Sequence, residues 1–453
     1  MGVEAVASAD IHYHLLAFDA EGRERPERDG PHSAAVLEEA AQTNPTDIFV
    51  FSHGWMGDVP AARRQYSAWL TAMVSCGEDR AAAHALPGGF RALLLGLHWP
   101  SMAWGDEDLG SASFDVPAPA PAEEPAPARA DDAGNGAGSL IDEYAARLAD
   151  TPGTRAALRT LVDAASRDAA PMTLPPDVRH AYEVIDAEAA MSAHGEGAAP
   201  GDDRQPFDPE ATYQACQLAE VVSFGGPLLG GVLAPLRVLT FWHMKRRART
   251  IGERAGASLL DALRQAAPAA RVHVMGHSFG CIVASAAVAG GTGAPGARRP
   301  VQSLMLAQGA MSLWSFCSSI PSRPERPGYF HRVVADHLVT GPTLVTTSVH
   351  DRAVRTFYPI GAGARDQVDF VPGKLPTYGG IGTFGVRGSG IDLVDGELRF
   401  VSDAYDLRAG VVHNLRADNV IATSQGIMGA HSDIAQPAVA HALWQAVLTG
   451  ARA

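Results

Sequence analysis

Apolar positions along the chain fall into two alternating patterns. Short runs rich in Val, Ile and Leu occupy residues 47–51, 92–97, 272–275, 304–307, 343–347 and 411–415. Such runs are too short for helices and too continuous for half-exposed strands, so they predict strands buried on both faces. Between them, residues 61–74, 244–267, 281–287 and 437–448 carry apolar side chains at helical spacing. Strand and helix in alternation predict an α/β fold, a mostly parallel sheet covered by helices.

The alternation breaks after the strand at 92–97. Residues 115–138 hold Pro117, Pro119, Pro121, Pro125 and Pro127 among alanines and acids, followed by Gly134, Gly136 and Gly138. That composition buries too little apolar surface to offset its ordering entropy and predicts a mobile linker. Residues 194–206 have the same loose character, whereas 140–165 and 178–191 have helical patterns. We therefore read 106–240 as a largely helical insertion, with one α/β domain formed by 1–105 and 241–453. The insertion ends in an apolar stretch, 221–242, whose only charge is Arg237. It is long enough to cross a bilayer. Pro227, Pro235 and four glycines argue instead for an irregular buried segment. Phe224, Leu228, Leu229, Val232, Leu233 and Leu236 could line a substrate wall or simply pack the insertion, and the pattern favours neither.

Composition narrows the partners. Of 453 residues, 46% are hydrophobic and 19% charged, the balance of a soluble protein. A net charge of −14 without a basic run argues against nucleic acid. Cys76, Cys216, Cys281 and Cys317 are too scattered for a zinc or redox motif and read as buried thiols. The N-terminal residues lack a signal pattern, so a cytoplasmic location and no transmembrane span are expected, with peripheral lipid contact left open. Oligomeric state is not legible.

The chemistry begins at Gly276-His277-Ser278-Phe279-Gly280, a G-x-S-x-G run directly after a strand and before a small-residue helix. On that turn the serine oxygen stands clear of the sheet, and the glycines remove side chains that would strike strand and helix. A serine needs a base, and the base an orienting acid, in the chain order acid then histidine. Among 17 histidines, His431 lies in a loop between the last strand and the closing helix. His441 lies inside that helix, His413 within a strand, and His350 too early. Asp351 follows the strand at 343–347 and is the expected acid; Asp433 competes but stands two residues from His431. The oxyanion donors are expected to be the backbone N–H groups of Phe279 and Trp55, with Met56 in reserve. His53, Gly54 and His277 should border the substrate.

Together these segments resemble the α/β-hydrolase superfamily across residues 10–105 and 240–450. The resemblance implies an eight-stranded, mostly parallel sheet and acyl-transfer chemistry. The insertion, placed after the fourth strand, matches no pattern of that family. Serine at the elbow disfavours the dehalogenases and epoxide hydrolases of the superfamily, which carry aspartate there. No metal cluster, phosphate loop or dinucleotide fingerprint appears, so no cofactor is expected. The expected activity is cleavage of a small carboxylic ester or thioester with an apolar part. An amidase, peptidase or acyltransferase would use the same residues, and a non-catalytic binding or scaffold module would need none of them.

Overall fold

In the computed structural model, which describes residues 2–26, 30–55, 57–101, 130–218, 231–291, 298–361, 375–424 and 426–452, the six expected strands lie within one sheet of nine. In chain order they are β1 (Gly2–Val6), β2 (Ile11–Ala17), β3 (Asp47–Ser52), β4 (Ala92–His98), β5 (Arg271–His277), β6 (Ser303–Ala307), β7 (Thr343–Thr347), β8 (Leu393–Glu397) and β9 (Val412–Arg416). Their spatial order is β1-β2-β4-β3-β5-β6-β7-β9-β8. Only β1 runs antiparallel to its neighbour. The protein is thus α/β, with nine strands rather than the expected eight. β1 and β8 escaped the pattern because they lie at the sheet edges and leave positions exposed. In β2 two histidines interrupt the apolar run.

Helices bury each face of the sheet. One core cluster joins the sheet to helices His32–Thr43, Ala234–Ile251, Ala257–Ala266 and Gly280–Ala289. The opposite cluster uses Val59–Ser75 and Pro437–Gly450. β3 is buried at all six positions, as a strand covered on both faces must be. Asp58 starts the Val59–Ser75 helix, its carboxylate accepting the Ala61 N–H at 2.6 Å.

Between β4 and β5 the described chain is mostly helical: Ala130–Leu148, Pro152–Arg167, Pro176–Glu188 and Pro209–Leu218. The single helix expected over 140–165 divides at Pro152, which Thr151 caps through the Thr154 N–H at 3.0 Å. The linker expected at 115–138 lies largely outside the described residues, and its last part, from Ala130, is helical. These helices share a third core cluster with Leu236, Leu239 and Trp242 of the Ala234–Ile251 helix.

Two expectations here are overturned. Residues 194–206 are not loose: Arg204 pairs with Asp186 at 2.6 Å, Arg246 with Asp202 at 3.0 Å, and buried Lys245 with buried Asp203 at 2.6 Å. Partners so distant in sequence leave no trace in local composition. The expected irregular stretch 221–242 is helical from Ala234 onward, because Pro235 sits in the first turn, where its missing N–H removes no bond. Residues 219–230 lie outside the described residues. Among those described, no helix is long and apolar enough to cross a membrane.

The strand order reverses at β3, which has β4 on one side and β5 on the other. Beyond the carboxyl ends of strands at such a reversal a crevice opens, the usual ligand position in open α/β sheets.

Candidate active site

Ser52 at the end of β3 is paired with Gly276 in β5, so the loops carrying His53-Gly54-Trp55 and Ser278 leave the sheet side by side. Ser278 has φ 55°, a left-handed backbone that non-glycine residues adopt rarely and at a cost. Three bonds hold it there: its N–H donates to the Ala307 carbonyl at 3.1 Å, and its carbonyl accepts from the Cys281 and Ala310 N–H groups at 3.1 and 3.2 Å. The flanking glycines are sterically required. A Cβ on Gly276 would stand 2.2 Å from the Gly280 carbonyl oxygen, and one on Gly280 would stand 2.3 Å from that of Ser52. The helix Gly280–Ala289 then starts directly beneath the turn and is buried throughout.

His431 and Asp351 come together from 80 residues apart, His431 Nδ1 lying 2.8 Å from Asp351 Oδ2. A bridge between Asp351 and Gly429 aligns their two loops, and the Ala430 N–H donates to the His350 carbonyl at 2.9 Å. Gly429 at φ 64° permits the approach; a Cβ there would fall 2.2 Å from that carbonyl oxygen. Asp351 is fully buried, and its other oxygen accepts the Val354 N–H at 2.9 Å. The carboxylate is therefore fixed, and it holds the His431 ring through Nδ1. The His431 loop is also tied to the elbow: His277 Nε2 donates to the His431 carbonyl at 2.9 Å, and the two rings lie 4.9 Å apart.

The competing residues are engaged elsewhere. His441 Nδ1 pairs with Asp79 at 2.6 Å, and His413 Nε2 accepts the Arg408 N–H at 3.1 Å. The Asp433 carboxylate accepts the Ala422 and Thr423 N–H groups at 3.2 and 2.8 Å, bracing a loop rather than the His431 ring.

Both nitrogens of the His53 ring and both of the His277 ring are engaged within the protein. Gln65 Nε2 donates to His277 Nδ1 at 3.0 Å. His53 Nδ1 donates to the Gly54 carbonyl at 2.8 Å, which places that ring's proton on Nδ1. Its Nε2 then accepts from His98 Nδ1 at 3.1 Å and the Trp99 N–H at 3.3 Å. Burial pushes His53 down to about 4 and holds His98 and His277 well below the usual imidazole range. All three are neutral braces. The Gly54 carbonyl and Trp55 N–H belong to one planar peptide, so fixing the carbonyl aims the N–H the opposite way. Gly54 itself presses on the turn at Ser278; a Cβ there would lie 2.8 Å from Ser278 Cβ. Phe279 is the N-cap of its helix, within the first turn whose N–H groups lack intrahelical partners. Met56 lies outside the described residues.

Three rings pack together next to Ser278. Trp55 stacks on Phe279 with centroids 5.6 Å apart, and Phe241 meets Phe279 at 5.0 Å and Trp55 at 5.8 Å. Sequence reading missed Phe241, which carries no motif and reaches the site only through the packing of its helix. Gln65, His98 and Trp99 were missed for the same reason. Phe224, Leu228 and Leu229 lie outside the described residues, whereas Val232, Leu233 and Leu236 pack within the insertion's own core. Among the described residues no cluster of three or more His, Cys, Asp or Glu could hold a metal, and the four cysteines are free and buried.

Compared with protein-family models, with curated proteins and with solved structures, the chain matches none.

Proposed function

We propose that the protein is a serine hydrolase of the α/β-hydrolase type, cleaving carboxylic esters or thioesters through an acyl-enzyme. The observation that carries this reading is the 2.8 Å bond between buried Asp351 and His431, in a loop bonded to the residue before a left-handed Ser278. A structural aspartate–histidine pair has no need of a neighbouring serine held at a sterically costly φ by a glycine on either side.

In this mechanism His431 Nε2 takes the Ser278 hydroxyl proton as Oγ bonds to the scissile carbonyl carbon. The carbonyl electron pair moves onto its oxygen, which accepts the Trp55 and Phe279 N–H groups. The tetrahedral adduct collapses, the alcohol or thiol leaves with the proton from His431, and Ser278 keeps the acyl group. Water then repeats the sequence, giving up a proton to His431 and releasing the acid. Asp351 holds the imidazole tautomer and stabilises the imidazolium without taking the proton.

A fluorophosphonate probe tests the reading directly. We expect covalent labelling of the wild-type chain at Ser278 and none in Ser278→Ala. Folded wild-type protein that resists the probe would leave the scaffold reading in its place.

A further inference from the structure

Trp55 carries two N–H groups, and only its backbone one has a role in the mechanism above. The indole Nε1 is buried and has no hydrogen-bond partner. Buried donors are rarely left so, since desolvation without a new bond is costly. Among the described residues the Tyr13 hydroxyl and the Trp69 indole share this condition, but both residues pack in the core cluster on the other face of the sheet. Trp55 differs in place: its ring stacks on Phe279, next to Ser278, and meets Phe241 edge-on. The preceding Gly54 packs against Ser278 Cβ. The bracing of His53 on the Gly54 carbonyl fixes the backbone from which the indole extends.

Resting on the serine-hydrolase reading, the geometry points to Trp55 as a specificity-determining residue whose indole N–H pairs with a second acceptor oxygen of the substrate, beyond the scissile carbonyl. The preferred substrates are then alkoxy-, hydroxy- or oxo-substituted esters rather than simple hydrocarbon ones. The three rings supply the apolar contact, and the single N–H selects where along it an oxygen is accepted. Sites built to hydrogen-bond one substrate group discriminate against analogues lacking it, because the protein donor is otherwise stranded.

An oxygen scan tests this. On the acyl side, kcat/KM is compared for p-nitrophenyl hexanoate and its isosteric 3-ethoxypropanoate and 4-methoxybutanoate. On the alcohol side, butyl and 2-methoxyethyl esters of one acid are compared by proton release. Wild-type protein should prefer at least one oxygen-bearing ester over its carbon parent by roughly 3- to 10-fold, the worth of one hydrogen bond. Trp55→Phe keeps a stacking ring and removes the N–H, so the ratio should fall to one or below; Trp55→Leu serves as a second variant. No preference in the wild type overturns the assignment, as it would if water occupied the donor. A preference that survives in either variant overturns it too. Fluorophosphonate labelling separates the two levels: labelled Ser278 without a preference removes only the Trp55 assignment, whereas unlabelled Ser278 removes the serine-hydrolase reading and this inference with it.

Discussion

Ser278 is held at φ 55°, and a left-handed non-glycine residue costs on the order of 1–3 kcal/mol. Function and stability are therefore opposed at this position. Ser278→Gly should remove the strain and raise the unfolding free energy by about 1 kcal/mol, while abolishing turnover. Chemical denaturation and an ester assay on the same preparation check both halves; a variant less stable than wild type would mean the turn is not strained. Gly54 is the converse case. A Cβ there would lie 2.8 Å from Ser278 Cβ, closer than such atoms approach. Gly54→Ala should therefore slow fluorophosphonate labelling of Ser278 by at least about tenfold, the loss expected when a reacting oxygen and its donors are displaced. Unchanged labelling kinetics would show that the loop yields freely. Asp351→Asn retains an oxygen for the Val354 N–H but offers the imidazole the wrong partner. Its kcat should drop by about 10⁴-fold with the fold intact by circular dichroism.

At the scale of elements, what was legible in the chain depended on distance along it. Strands β3 to β7 and β9 are short apolar runs, and the turn at Ser278 is a local motif; both are written within a few consecutive residues. β1 and β8 were not legible because an edge strand needs fewer apolar positions. Ser278, His431 and Asp351 were legible through chain order, whereas Phe241, Gln65 and His98 reach the site only by tertiary packing. The least legible feature was the anchoring of residues 194–206, which looked loose and is held by buried charges. Lys245 Nζ lies 2.6 Å from Asp203, 3.0 Å from the Tyr358 hydroxyl and 4.4 Å from the Trp242 ring centroid. Helix Ala234–Ile251 presents Phe241 to Trp55 and Phe279 and Lys245, one turn later, to Asp203. Lys245→Met leaves a buried carboxylate without its cation, so it should destabilise by about 3–5 kcal/mol. Adding Asp203→Asn should recover much of that loss, because no lone charge remains. If the double variant is as unstable as the sum of the two single variants, the pair is not coupled.

For the whole molecule, the buried histidines set how stability responds to acid. Burial pushes His53 down to about 4 and His243, flanked by Arg247 and Arg246, down to about 3. His98 and His277 are held well below their ordinary value, also chiefly by burial. Each is neutral in the folded protein and titrates near 6.5 once unfolded. Between those two values the unfolded chain binds more protons than the folded one, so stability is present above about pH 6.5 and is lost as pH falls towards 4. His53 alone, taken from 6.5 to about 4, should cost about 1.4 kcal/mol by pH 5.5. Asp47 acts in a separate, lower window. Burial opposes its charge, but bonds to His273 and Arg271 prevail and hold it down at about 2, so its contribution is lost only as pH falls below about 4. Denaturant titrations at half-unit steps from pH 7.5 to 3 check both windows. The unfolding free energy should fall steadily across the upper window and steepen again below pH 4. A stability curve flat from pH 6.5 to 5 would mean that His53, His98 and His277 are charged in the native state, and the bracing of the Gly54 carbonyl by a neutral His53 could not then stand.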